Sequence, residues 1–204
     1  MLKLTKRFLQ GSLRVQARAF GTEKQQSVRE QLLAHKTEYC NVPDKIIDLA
    51  ERKLYLNPKH PLGILTKKLG DFFSNPDIYK SDLQEKYKHP YTVTRTLSPI
   101  VTIQSNFDEL LVPADHVSRK KSENYYISET HMLRAHSSAH QNEFIRKGEK
   151  AFINIADVYR RDTIDATHYP CFHQVTFLSN EVISHIKKFV DGRCENIHRR
   201  GKGN

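Results

Sequence analysis

From Tyr91 onward, short β-branched runs and helical stretches are interleaved with no regular strand–helix–strand rhythm, and this limits the folds open to the chain. Thr92-Val93-Thr94 and Ile100-Val101-Thr102-Ile103 read as strands, and Tyr125-Tyr126-Ile127 is a further short candidate. Phe152-Ile153-Asn154-Ile155 with Val158-Tyr159 reads as a longer strand bounded by charged residues. Between them, Ser137 or Ser138 is placed to cap a helix running to about Lys147, with Gly148 just past its end. Doubly wound folds need strands and helices in alternation; this pattern instead predicts an α+β fold with an antiparallel sheet. Neither G-x-G-x-x-G nor G-x-x-x-x-G-K-[ST] occurs, so no Rossmann or P-loop nucleotide site is signalled.

Upstream of Tyr91 the pattern is helical. Residues 21–41 are polar and read as a flexible lead-in. Pro43 and Asp44 suit a first helical turn, and Ile46, Ile47, Leu49, Ala50 and Leu54 follow at helical spacing until Asn57-Pro58. A second helix begins near Pro61, with Leu62, Leu65, Leu69, Phe72 and Phe73 as its apolar stripe, and ends at Ser74-Asn75-Pro76. Residues 77–92, charged and aromatic, read as a linking helix or loop.

The first 22 residues carry Lys3, Lys6, Arg7, Arg14 and Arg18 among Leu2, Leu4, Phe8, Leu9, Leu13 and Val15, and the first acid is Glu23. An Arg-rich, acid-free amphipathic start predicts a mitochondrial targeting peptide over residues 1–20, hence import to the matrix. Secretory signals need a continuous apolar run that is absent here, and no window reaches the 18 apolar residues of a membrane span. Lys and Arg exceed Asp and Glu by 33 − 23 = 10, which fits a polyanionic partner such as RNA. Cys40, Cys171 and Cys194 are odd in number and widely spaced, against a disulfide framework or a structural zinc site.

Three clusters could carry chemistry: Asn106-Phe107-Asp108 with Leu111 to His116, Leu133 to Gln141, and Asp157 to Gln174. His136 and His140 could share a helix face, but Ser137 stands where a zinc protease needs Glu, and G-x-S-x-G is absent. The third cluster suits a nucleoside triphosphate better. A guanidinium near a strand end can grip a phosphate bidentately, and a carboxylate two residues on can take hydrogen bonds from an amine or orient a metal.

Taken together, residues 106–121 (NFDELLVPADHVSRKK), 124–141 (NYYISETHMLRAHSSAHQ) and 157–174 (DVYRRDTIDATHYPCFHQ) resemble the phenylalanyl-tRNA synthetases of the single-chain mitochondrial kind. Residues 60–73 are similar to that family's N-terminal helix, and the resemblance covers roughly residues 40–174. It implies a class II fold, an antiparallel sheet flanked by helices, preceded by an N-terminal helical region. The implied activity uses ATP and Mg²⁺ to make a phenylalanyl-adenylate and then charges tRNA(Phe), in a monomeric enzyme with no membrane partner. Residues 157–174 resemble the second class II motif. Arg160 is thereby expected to be catalytic and to hold the α-phosphate, with Asp162, His168 and Phe172 also at ATP. His136, Ser138, His140, Gln141 and Gln174 are expected at the amino acid.

The resemblance divides the chain into a targeting peptide (1–20), a lead-in with N-terminal helices (21–90), a partial class II core (91–174) and a divergent tail (175–204). The family's carboxylate two residues after Gln174 is Thr176 here. The third class II motif, with its own Arg, and the C-terminal anticodon-binding domain do not occur in the 204 residues. The expectation is a truncated synthetase whose sheet exposes unpaired edges, which folds poorly and is inactive alone. The alternative is a shortened non-catalytic relative with an RNA- or protein-binding role.

Overall fold

Ser27 opens the first helix, α1 (Val28–His35), through a capping box: its hydroxyl accepts from the Glu30 amide, and the Glu30 carboxylate accepts from the Ser27 amide. The computed structural model describes residues 26–74 and 91–179. The expected targeting peptide, almost all of the 77–92 linker and the tail beyond Ser179 lie outside the described residues. α1 departs from the expected flexible lead-in over residues 21–41. Ser27-Val28-Arg29-Glu30 was the readable signal for it, and Val28 and Leu32 are buried at 1% exposure each.

α2 (Asp44–Arg52) begins as expected, with Pro43 as its N-cap, and buries Ile46, Ile47 and Ala50. Arg29 of α1 ties the two helices together by ion pairs to Asp44 at 3.2 Å and Asp48 at 3.1 Å. Both helices pack on Tyr125, Ile127, Leu133 and Tyr159. α3 (Pro61–Ser74) spans the expected residues but turns a different face inward. Gly63, Thr66 and Gly70 are its buried positions, Leu69 and Phe73 pack beside them, and Leu65 and Phe72 of the expected stripe are 53% and 40% exposed. Close approach decides the face. A Cβ on Gly63 would lie 1.8 Å from the Asn57 carbonyl oxygen, and the Thr66 hydroxyl donates to the Tyr55 carbonyl at 2.6 Å. The small-residue face thereby meets the 3-10 turn Leu54–Leu56.

The main sheet has the order β1 (Thr92–Thr94), β4 (Ala151–Tyr159), β5 (Cys171–Ser179). β4 and β5 are antiparallel over nine residue pairs, from Ala151 opposite Ser179 to Tyr159 opposite Cys171. The α+β fold with an antiparallel sheet is as expected; β1 adds one parallel pairing, to β4, because the chain between them makes a crossover instead of turning in a hairpin. A second, antiparallel pair joins β2 (Ile100–Thr102) to β3 (His131–Leu133). The short helix α4 (Ile103–Asn106) starts at Ile103, so the expected strand ends at Thr102. Tyr125-Tyr126-Ile127 is not a strand of its own: it runs beside β3 with one bridge, Tyr126 opposite Met132.

All nine residues of β4 are buried, because both of its faces are covered. α3 and the 3-10 turn pack on Ala151, Ile153 and Ile155. On the other face α5 (Gln141–Arg146) stacks Phe144 on Phe152 with ring centres 4.6 Å apart. Burying each of these large apolar side chains stabilises the fold by roughly 1.5–3 kcal/mol. The expected helix from Ser137 is divided into a 3-10 turn, Ser137–His140, and α5, neither with a side-chain cap; Gly148 just past its end has φ 77°. β1 and β5 are the two sheet edges among the described residues, and Val175 and Phe177 of β5 are exposed at 44% and 56%.

Gly63→Ala tests the close approach. It is expected to force α3 away from Asn57 and cost about 3 kcal/mol in urea unfolding. Wild-type stability in this variant would contradict that packing.

Candidate active site

The site is built where β4 ends and β5 begins. Arg160, the first residue after β4, closes the loop 160–170 by donating its amide to the Pro170 carbonyl at 3.0 Å. Its Nε donates to the Ala135 carbonyl at 3.1 Å, and its guanidinium carbon lies 5.2 Å from the centre of the Phe172 ring. Its two Nη groups have no protein partner among the described residues. Arg160, Arg161 and Asp162 line an open cavity of about 330 Å³ with Ala135 and His136, opposite a wall from the 107–124 segment that includes Ser118 and Asn124.

His136 presents a buried Nδ1 with no hydrogen-bond partner. Burial lowers its pKa, with the Arg160 charge acting in the same direction and the Asn106 backbone against it, so the ring is neutral near pH 7. In the exposed loop, His168 Nδ1 lies 2.9 Å from Asp165, and its Nε2 lies 3.9 Å from Asp162. The Asp165 contact raises the His168 pKa, and His168 with the Thr167 and His168 amides holds the Asp165 carboxyl well below the usual carboxylate range. Asp165 thus orders the loop, and Asp162 is left at the cavity rim.

Further along β5, the Gln174 side-chain oxygen accepts from the Ser137 amide at 3.2 Å. Thr176 meets the Ser137 hydroxyl at 2.5 Å and the Ser138 hydroxyl at 3.3 Å. Asn154, opposite Thr176 on β4, donates to the Ser137 carbonyl at 2.8 Å, while its own side-chain oxygen is buried without a partner. The arrangement is a neutral cluster of hydroxyls and amides whose acceptor oxygens could meet an ammonium group. Thr176 stands where the resemblance puts a carboxylate, whereas Asn154 was not foreseen; its register on β4, opposite Thr176, places it there.

The structure therefore brings His136, Arg160 and Asp162 together at the cavity, with Phe172 beside the Arg160 guanidinium but not in the cavity lining, and Ser138 and Gln174 together beside the Ser137 turn. Gln141 begins α5 with its amide on the Ser138 carbonyl. His140 is directed elsewhere. It is buried at 9% exposure with its Nε2 3.3 Å from an Arg134 Nη and its Nδ1 3.7 Å from Glu143. A guanidinium can only donate, so Nε2 must be the acceptor and the ring neutral. Burial, reinforced by the Arg134 charge, pushes its pKa down to about 4.

With this geometry in place, similarity to known proteins supplies the class. The family model for the tRNA synthetases class II core domain (F) matches residues 82–196, more than half of the chain, and the chain belongs to that family. The match runs past Gln174, where the resemblance read from the sequence stops. Among particular proteins, the chain is similar to phenylalanine--tRNA ligases. It is 46% identical to the chloroplastic/mitochondrial one of Arabidopsis thaliana over 135 residues, 66% of this chain and 29% of that one. It is 38% identical to the mitochondrial one of Mus musculus over 168 residues, covering 80% and 36%. It is 40% identical to that of Saccharomyces cerevisiae over 167 residues, covering 78% and 33%. The chain spans about a third of the length of these relatives.

The neutral, buried His140 has a pH consequence. Its folded pKa lies below the ordinary 6.5, so protonation favours the unfolded chain. Its contribution is complete above pH 6.5 and is lost between there and about pH 4, at roughly 1.4 kcal/mol per pH unit. Urea unfolding from pH 7 to 4 should show a shallower acid loss in His140→Gln than in wild type. Parallel profiles would contradict the assignment.

Proposed function

We propose that this chain carries the ATP- and phenylalanine-binding part of a mitochondrial phenylalanine--tRNA ligase. Phenylalanine and ATP form phenylalanyl-adenylate, and the phenylalanyl group is passed to tRNA(Phe) in the mitochondrial matrix. The observation that carries the reading is Arg160: a guanidinium held at Nε by the Ala135 carbonyl, with both Nη groups open beside the cavity. Such a fork binds a phosphate bidentately and neutralises charge where it develops.

In this reading the substrate carboxylate attacks the α-phosphorus of ATP in line. A P–O bond to the carboxylate forms, the bond to pyrophosphate breaks, and pyrophosphate leaves with Mg²⁺ that entered with ATP. Arg160 holds the α-phosphate, Phe172 offers its ring to adenine, and Asp162 and His168 stand by the nucleotide. Gln174, Ser138 and Gln141 orient the amino acid, with His136 neutral beside them. Catalysis is then mainly positioning and charge stabilisation. In the second step a tRNA 3′-terminal hydroxyl takes the phenylalanyl group and AMP leaves.

A second reading is a non-catalytic relative with an RNA- or protein-binding role that keeps the nucleotide cavity. Thr176 favours it: at the place where the resemblance puts a carboxylate, its hydroxyl is bonded to Ser137 and brings no charge to an ammonium. ATP titration into the full chain tests what the two readings share. Arg160→Ala is expected to raise the Kd about tenfold or more. No ATP binding by wild type, or unchanged binding by the variant, overturns the assignment. Phenylalanine-dependent ATP–pyrophosphate exchange and tRNA binding then separate them: exchange upholds the catalytic reading, and tRNA binding by the stably folded chain without exchange upholds the second.

A further inference from the structure

One wall of the cavity is a loop with little regular structure of its own. Residues 116–124 contain only the 3-10 turn Val117–Arg119, yet they supply Ser118, Glu123 and Asn124 to the cavity lining. On the cavity side, Arg161 leans on this loop: its amide donates to the Glu123 carbonyl at 2.9 Å and its Nη1 to the Lys121 carbonyl at 3.1 Å. The placement of the Arg160-Arg161-Asp162 corner is therefore tied to the placement of Lys121 and Glu123.

The loop is fixed from behind by a segment some eighty residues earlier in the chain. The Asn41 side-chain nitrogen donates to the Lys121 carbonyl at 3.1 Å and to the Asn124 carbonyl at 3.0 Å. Its side-chain oxygen accepts from the Tyr126 amide at 2.7 Å, and its own amide donates to the Tyr126 carbonyl at 3.0 Å. Every hydrogen-bonding group of the carboxamide is thus engaged, and the same Lys121 carbonyl is shared with Arg161. Tyr39 supports the contact: Lys121 Nζ sits 3.0 Å from the centre of its ring and donates to its carbonyl at 3.1 Å. Thr37 continues the clasp with its amide on the Ile127 carbonyl at 3.2 Å.

We infer that Asn41 is a positioning residue of the nucleotide cavity, setting the 118–124 wall and through it the Arg160–Asp162 corner. The identity of the cavity's ligand rests on the reading given above; the bracing itself does not. Asn41 does not line the cavity and acts through the backbone of Lys121, Asn124 and Tyr126, Lys121 being the carbonyl it shares with Arg161. A carboxamide is required because two carbonyls and one amide must be met by one short side chain, and only Asn offers two donors and an acceptor at that reach. Asp at this position keeps the bond to the Tyr126 amide and sets an acceptor against the Lys121 and Asn124 carbonyls.

The test compares Asn41→Asp with Ser27→Ala in the full chain. The second variant loses the α1 cap, which lowers stability without touching the wall. Hydrogen exchange is read at the Arg119, Lys120 and Glu123 amides, which are bonded within the loop, and ATP affinity is read by titration. Asn41→Asp is expected to speed exchange at these three amides about tenfold or more, leave the β4–β5 amides near wild type, and raise the Kd for ATP about tenfold. Ser27→Ala is expected to change neither loop exchange nor ATP affinity. Unaltered loop exchange in Asn41→Asp, or a loosened loop with unaltered ATP affinity, overturns the inference. Should wild type bind no ATP, the nucleotide reading fails and exchange alone decides on the brace.

Discussion

The arrangement depends on one buried ion pair. Arg134 and Asp157, with side chains 1% and 5% exposed, meet at 2.7 Å. Two charges removed from water cost several kcal/mol each unless their remaining donors and acceptors are met. Here Arg134 also donates to the Asp157 carbonyl at 2.6 Å and to the Leu97 and Ser98 carbonyls at 3.1 and 3.0 Å, with His140 Nε2 at 3.3 Å. One guanidinium thereby fastens four pieces of chain: the end of β3, the segment before β2, the turn before α5, and the central strand β4.

The site follows from that fastening. The Arg134 carbonyl accepts from the Tyr159 amide at 3.0 Å, so the end of β3 is laid along the end of β4. The next carbonyl, that of Ala135, then meets Arg160, and His136 follows at the cavity. Directly after it, the Ser137–His140 turn lies over β4 and β5, where Ser137 meets Gln174, Thr176 and Asn154. The Arg160 fork and the polar cluster thus hang from opposite ends of one short segment whose root is Arg134. Asn41 braces the far wall of the same cavity, so residues of the N-terminal helical region and of the class II core share in one site.

Sequence and structure part company in instructive places. The strand β4 was legible, because a β-branched run bounded by charges leaves few alternatives; β5 was not, since it runs on to Ser179, inside the stretch read as a divergent tail. The Arg160–Phe172 corner was legible only through resemblance, since Arg-x-Asp alone is weak. β3 was missed because His131-Met132-Leu133 is three residues long and not β-branched; its pairing comes from Ile100 to Thr102, far away in sequence. The inward face of α3 was read only in part: Leu69 and Phe73 pack inward as expected, but hydropathy counts large side chains, whereas close approach to Asn57 selects Gly63 over Leu65 and Phe72. His140 sits in a run that reads as substrate-facing, but the charge it meets is Arg134, which no local pattern announces. The same holds for Asn41: its partners are eighty residues away, and nothing in Cys40-Asn41-Val42 marks it.

The central claim is that Arg134 and Asp157 act as a unit on which the site is hung. A double-mutant cycle in urea unfolding, with Arg134→Ala, Asp157→Ala and the double variant, tests it most directly. The account predicts that each single change costs about 3–5 kcal/mol, since each strands a buried charge, and that the double variant costs little more than the worse single one. Losses that simply add would contradict the account, because they would mean that the two residues stabilise the fold independently.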